Sequence, residues 1–550
     1  MKKLILKTAT MKQLKTIVIT AITAIFYFLP SFGGAGGGWA YAQVVGTPYI
    51  VPTIAKVEEP NFCTGTDNST QGTDFWVTFG QNLTLTSIYG PGGEANALFM
   101  LYIAADEETD VRLRFSADNT QAIYHILDHS TIRIDMKNVD ITGAITPADR
   151  NKQQAVYCFT NSATDYSPHK SKNTLHITSD KPVSVYAFNT GSTTTDATIV
   201  LPVSGWGTEY YNLSYAPIPT GIPNPLSFSI IIANQSTQVT TPEGIETLAE
   251  GEVYYRANNV DLTGRRYTAD QPIAYFAHNG ATNIPIGRQT ADIILEQMLP
   301  VDKWGTQFLV PNAPEGPTNN MLNHIRIIAS EQTKVNYSGA TLVTGLGSAV
   351  SFGGSGGILN AGQWIELQIN GSAGNIPNDT LVKNHCYITS DKPVGVAGYM
   401  VGEGGTASNG ISDPSLCWIP PLSQLISTVT VMPFIFRLFE YDINTTLSYP
   451  ISTHYMIITS KTDAKANTTI SESGVNIVLD NNKWTDNATS GYSYYYHEFK
   501  TAQSVSDLGD FGKNFTVSNL KNGISVLMGG ISYYESYYYN AGSGTCVVNP

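Results

Sequence analysis

Apolar residues in this chain gather in short blocks bounded by Gly, Pro, Asp and Asn, and nowhere keep the 3.6-residue spacing of a long amphipathic helix. Blocks of that length predict strands, and 49 Gly and 28 Pro supply the punctuation between them. The predicted fold class is therefore all-β. One block, HITSDKPVSVYAFN from His176 to Asn189, reads as strand–turn–strand, with Ser-Asp-Lys-Pro as the turn. The block recurs as RYTADQPIAYFAHN (Arg266–Asn279) and CYITSDKPVGVAGYM (Cys386–Met400). Aligning Pro182, Pro272 and Pro393 puts Val183, Ile273 and Val394 on one face and Ser184, Ala274 and Gly395 on the other. Both faces are small or apolar, which predicts a strand covered on both sides.

The block belongs to a longer repeat. Each copy opens on a Gly-Thr strand at Gly72, Gly207 and Gly305. A tight turn follows in which Ala105, Thr109 and Val111 keep the spacing of Ala233, Thr237 and Val239 and of Ala329, Thr333 and Val335. A fainter fourth copy reads MIITSKTDAK from Met456 and closes on GISVLMGG from Gly523. These landmarks predict a signal segment over 1–42, an extension over 43–71, and β units over 72–203, 204–301, 302–421 and 422–550, the last divergent and running into a tail. Four sandwich-like units in tandem are the expected architecture, and a single β-propeller built from the same copies is the alternative.

Charge and cysteine narrow the setting. Lys2, Lys3, Lys7, Lys12 and Lys15 precede an apolar run from Ile17 to Pro30, and Ala40-Tyr41-Ala42 supplies a small-x-small cleavage site. The run is shorter than the roughly 20 residues of a membrane span, so export and a mature chain without a span are expected. Removing those five lysines from 31 basic residues leaves 26 against 44 acidic ones, a net of −18. That balance disfavours nucleic acid as a partner. Charged residues are 14% of the chain, so Ser, Thr, Asn and Gly carry its solubility. Five cysteines suit an oxidising compartment. Cys386 with Cys417 is the preferred bridge and Cys63 with Cys158 the second, leaving Cys546 over.

GTDFWVTFGQN, ITSDKPVSVYAFNT and TDATIVLPVSGWGTEY, in that order, resemble the N-terminal domain family of the IgGFc-binding protein, which occurs in vertebrate mucus proteins and bacterial surface proteins. The likeness runs from about Gly72 to about Asn540. It implies a secreted or surface module for binding or adhesion, and it carries no catalytic motif onto these residues.

Candidate chemistry is sparse. GGSGG (Gly353–Gly357) matches the nucleophile-elbow spacing but lies in a glycine-rich insertion with no helix after it, and reads as a loop. His125 and His129 would share a helix face for a metal, yet their neighbours read as strand. Asp106, Glu107, Glu108 and Asp110 offer oxygens for calcium, but the same turn is Asn234-Gln235-Ser236 in the second copy. Asp180, Asp270 and Asp391 before the prolines, and Asp196, Asp292 and Asp413 after the strand, read as structural acids that accept backbone N–H bonds. His278 aligns with Phe188 and Tyr399 and reads as a packing ring. Tyr492, Tyr494, Tyr496, Tyr533, Tyr534 and Tyr537 are the candidate ligand contacts, since tyrosine combines large contact area with a polar tip.

No metal and no cofactor are expected, and no enzyme. The expected function is binding of an extracellular protein or glycan, mucin-like or immunoglobulin-like, by a secreted or surface protein of bacterial type. A structural envelope or filament component that associates with itself, and a glycan-active enzyme using paired Asp residues, are the alternatives.

Overall fold

The structure is a computed structural model that describes residue 63 and residues 69–546, less 83–93, 95–96, 192–193, 219–225, 315–321, 348–351, 354, 373–376, 403–412, 435–452, 501–509, 511 and 533–534. The expected signal segment and nearly all of the extension lie outside the described residues.

The first copy contributes β1 (Gly72–Val77), β2 (Leu98–Ala105), β3 (Thr109–Phe115), β4 (Gln121–Ile126), β5 (Ser130–Asp135), β6 (Pro168–Ser171), β7 (Leu175–Thr190) and β8 (Thr195–Val200). The second contributes β9 (Gly207–Tyr211), β10 (Ser227–Ala233), β11 (Thr237–Thr241), β12 (Gly244–Leu248), β13 (Glu252–Asn258), β14 (Arg266–Thr282) and β15 (Asp292–Gln297). The third runs through β16 (Gly305–Pro311), β17 (His324–Ala329), β18 (Thr333–Ser338), β19 (Ala340–Gly347), β20 (Phe352–Gly353), β21 (Gly356–Leu359), β22 (Trp364–Ile369), β23 (His385–Met400) and β24 (Ser415–Trp418). The last holds β25 (Thr428–Val431), β26 (Thr453–Lys461), β27 (Thr469–Glu472), β28 (Val475–Ile477), β29 (Trp484–Asn487), β30 (Tyr492–Glu498), β31 (Phe515–Ser518), β32 (Ser525–Ser532) and β33 (Glu535–Gly542).

One antiparallel pairing scheme recurs. In the first copy β7 pairs with β1, β2, β3 and β8, while β4 extends β3 and β5 extends β2. β14 and β23 play the part of β7 in the next two copies. In the last copy the long strand is divided: β31 pairs with β25 and β27, and β32 with β26 and β33.

The expected hairpin is corrected by this scheme, because β7, β14 and β23 each run unbroken through the Asp-x-Pro. The reason lies in the ladders. β3 pairs with β7 up to Ser179, and β2 takes over at Val183. The same gap separates Ala269 from Ile273 in β14 and Ser390 from Val394 in β23. Pro182, Pro272 and Pro393 fall inside those gaps, where a missing N–H forfeits no ladder bond. Each long strand thus changes ladder partners midway within its own sheet, and its second half is buried throughout, as expected.

The sheets close around a common centre. β8 packs beside β15, β15 beside β24, β24 beside β33, and β33 beside β8. These four strands are therefore arranged about a common axis. The Gly-Thr openings acquire a reason here: a Cβ on Gly72, Gly207 or Gly305 would collide with Pro202, Pro300 or Pro421, the proline that ends the same copy. Where the GGSGG insertion was expected to be a plain loop, Phe352 pairs with Gly357 and Gly353 with Gly356.

Cys63 is bonded to Cys546, and Cys158, Cys386 and Cys417 are free and buried. Both expected bridges are thereby corrected. Cys386 faces Val310 at one end of β23, whereas Cys417 faces Gly398 near the other. Twelve residues of strand separate those levels, about 40 Å at 3.3 Å per residue, far beyond disulfide reach. Cys158 instead lies 3.2 Å from the Thr78 hydroxyl, and burial pushes its thiol up to about 12.

Candidate functional site

Among the described residues, the innermost strands β8, β15, β24 and β33 each have one edge without a strand partner, so the N–H groups on that edge need other acceptors. Side chains of neighbouring copies supply them. Asp196 Oδ2 accepts from Leu295 N at 2.9 Å and from Leu416 N at 3.4 Å. Thr198 Oγ1 accepts from Gln297 N at 2.9 Å, and Gln297 Oε1 accepts from Leu201 N at 2.8 Å. Glu296 Oε1 accepts from Trp418 N at 3.2 Å. These side chains stitch the ring.

Asp196, Asp292 and Glu296 are fully buried, and Asp413 is 2% exposed. Burial raises the Asp196, Asp292 and Glu296 carboxyls well above the usual range, and the backbone N–H groups they receive only partly reverse it. Asp196 accepts backbone N–H groups, and the N–H of Ile293 reaches Asp292 Oδ1 at 2.7 Å. Their grouping by sequence needs correction. Ala197, Leu295 and Leu416 occupy one level, facing Phe188, His278 and Tyr399. Asp292 and Asp413 both stand three residues before that level, while Asp196 stands one before it. At the level after it, Thr198, Glu296, Cys417 and Tyr538 face the small residues Ala187, Ala277, Gly398 and Gly529.

The acids before the prolines hold neighbouring strands rather than their own turns. Asp270 Oδ1 accepts from Gln238 N at 2.8 Å and Asp391 Oδ1 from Lys334 N at 2.7 Å. Asp180 pairs with Arg112 at 2.7 Å. In each case the partner lies on β3, β11 or β18, next to the long strand.

A second enclosed polar centre joins the second and third copies, and sequence reasoning missed it. Arg326 is 1% exposed, with its guanidinium 3.9 Å from the Tyr215 ring centre and 4.1 Å from that of Trp364. Its Nε donates to Glu366 at 2.9 Å, and its Nη1 donates to Asp261 at 2.8 Å and to the Ser214 carbonyl at 2.7 Å. His324 Nδ1 lies 2.6 Å from the other Glu366 oxygen. Burial alone would raise the Glu366 carboxyl, but Arg326 and His324 hold it down at about 2. The available signal was one charge set amid each apolar run, HIRIIA and WIELQI, at positions that face each other across β17 and β22.

Three of the tyrosines expected to meet a ligand do not reach the surface. Tyr494, Tyr496 and Tyr537 are at most 2% exposed, and Tyr494 donates to the Val382 carbonyl at 2.8 Å. Tyr492 is partly buried; Tyr533 and Tyr534 lie outside the described residues. The alternating strand was read correctly, but both of its faces are covered. His278 is buried against Phe228, as its alignment with rings suggested, and donates from Nε2 to the Gln81 carbonyl at 2.6 Å. His125 lies on β4 between Glu108 (3.2 Å) and Asp110 (2.9 Å), while His129 sits in the following turn at φ 48°.

A family model described as IgGFc binding protein matches residues 196–517, more than half of the chain. The human IgGFc-binding protein is 26% identical over 263 residues, a stretch that covers 45% of this chain and 4% of that relative. The chain thus corresponds to a small part of the human protein's length. The matched residues hold the axial acids, the Arg326 centre and most of the inner ring; this chain belongs to the IgGFc binding protein family.

Proposed function

We propose that this chain is an exported, surface-acting adhesion protein that binds a glycoprotein, mucin-like or immunoglobulin-like, and performs no catalysis. The observation that carries the reading is the enclosure of Asp196, Asp292, Glu296 and Asp413. Carboxyls sealed in a core cannot approach a saccharide, so a partner meets the outer strands and the connecting segments, where binding surfaces commonly lie. Family membership supports a binding role, and the Cys63–Cys546 bond supports an oxidising, extracellular setting. The test is purified residues 43–550 on mucin, Fc and glycan surfaces beside an unrelated β-propeller. Selective binding to one class is expected; signals equal to the control throughout would remove the reading.

A second reading, assembly with further copies of itself, is favoured by one feature. The edge strands β4, β12 and β28 each display an exposed apolar residue: Ile123, Ile245 and Val475. Light scattering that returns only monomer at high concentration would set it aside.

A further inference from the structure

The sheet of the second copy runs β12-β11-β14-β10-β13-β6 and curls until its outer strand β12 approaches β13. Beside that approach lies a recess of about 180 Å3, open solvent included. Ser229, Tyr267 and Asn258 line it, with Arg256 of β13, Arg265 from the segment before β14 and Glu243 from the turn between β11 and β12. The two guanidiniums share one carboxylate: Glu243 lies 2.6 Å from Arg265 Nη1 and 3.6 Å from Arg256 Nη1. Neighbouring acids are matched elsewhere, Glu246 with Lys170 at 2.6 Å, Glu209 with Arg266 at 2.7 Å and Asp261 with Arg326 at 2.8 Å. Two cations against one acid leave the recess a positive charge in excess, on a chain with 44 acidic residues against 31 basic ones. Arg256 Nε is buried and has no hydrogen-bond acceptor among the described residues, an orphan that a native structure rarely keeps without a bound partner. The side chains of Arg256, Arg265 and Glu243 are 25%, 31% and 25% exposed, so the recess is reached from solvent.

We infer that this recess is a subsite for the acidic group of a saccharide, in which Arg256 and Arg265 grip the anionic oxygens of a carboxylate or a sulfate ester. A guanidinium offers paired N–H donors to two oxygens at once, a geometry that suits both anions. A water molecule would take the Arg256 Nε–H bond but leave the excess charge unmatched, whereas an anion answers both. Asn258 adds the neutral donor and acceptor that sugar hydroxyls use. The inference rests on the glycoprotein-binding reading and names the part of the glycan that is recognised.

The test titrates residues 43–550 with the methyl glycoside of N-acetylneuraminic acid, galactose 6-sulfate, neutral galactose and N-acetylglutamate, read by ligand-observed NMR. At least one acidic sugar should bind more tightly than galactose and N-acetylglutamate, and which one does so separates carboxylate from sulfate. Arg256→Gln and Arg265→Gln should each weaken that binding at least about tenfold. Glu243→Gln, which frees both guanidiniums, should strengthen it. Acidic sugars bound no better than galactose, or no better than N-acetylglutamate, would overturn the subsite, and so would affinities unchanged in all three variants. Should an arginine variant fail to fold, the wild-type comparison and Glu243→Gln decide. Mucin tells the two readings apart. Capture that persists after enzymatic removal of sialic acid and sulfate keeps the binding role and removes this subsite. Loss of all mucin capture removes the binding role, and the titration still judges the subsite.

Discussion

Cys63 and Cys546 are covalently joined although 483 residues separate them. Around the bond, Thr70 N donates to the Ser543 carbonyl at 3.0 Å, Ser69 bridges Gly544, and Cys63 N donates to the Leu425 carbonyl at 3.0 Å. The early and late parts of the chain therefore meet in one clasp. Reduction, or Cys546→Ser, should lower stability by about 2–5 kcal/mol, the usual range for a native bridge, and lower the melting temperature. Peptide mapping should find Cys63 linked to Cys546 and three thiols that react only after denaturation.

Arg326 offers the sharpest single substitution. Arg326→Ala leaves Glu366 buried and unpaired, and should cost about 3–5 kcal/mol. Replacing Arg326 and Glu366 together with apolar residues should recover much of that loss. Denaturant titration of both variants checks the pair.

Glu366 also sets part of the acid response. Its carboxyl is held at about 2 against an ordinary value of 4.5. Its contribution is fully present above pH 4.5 and drains away as pH falls towards 2. Glu366→Gln should be less stable than wild type at neutral pH, and the gap should narrow through that window in a melting series.

His278 acts in a higher window. Burial lowers its imidazole to about 4 from 6.5, so the folded protein keeps it neutral where the unfolded chain would protonate it. Stability from this source is constant above pH 6.5 and is lost as pH falls from 6.5 to 4. His278→Phe, which places the residue type of Phe188 at the same level, should be less stable by about 1–3 kcal/mol at pH 8 through the orphaned Gln81 carbonyl. It should be flatter than wild type below pH 6.5.

The glycine–proline seam admits a packing test. Gly207→Ala and Gly305→Ala each push a methyl into Pro300 or Pro421, and should each cost about 1–3 kcal/mol. An alanine tolerated at both would mean the seam can open.

How much of this was written in the sequence depends on the range of the interaction. The repeated phrases around Pro182, Pro272 and Pro393 carried the strands and their buried faces, because alternation along a strand is local. The straight passage through Asp-x-Pro was not legible. Aspartate before proline has the same local chemistry whether the chain turns or merely changes ladder partner, and the difference lies in β1, β2 and β3. The partners of Asp196 were not legible either, because the N–H groups it accepts, those of Leu295 and Leu416, come from stretches far along the chain. The tyrosine runs showed their period of two without showing that neighbours cover both faces. Cys63 and Cys546 could not be paired by spacing, since their proximity follows from closure of the whole ring.

That closure bears on the order of assembly. Tyr186 on β7 donates its hydroxyl to the Ala541 carbonyl on β33 at 2.7 Å, and Asp196 serves strands made much later. The strands around Tyr186 and Asp196 therefore hold half-finished edges until the strands near Ala541 and Leu416 are made. A polypeptide built in this way cannot complete its inner edges unit by unit, since strands from its first and last parts satisfy one another.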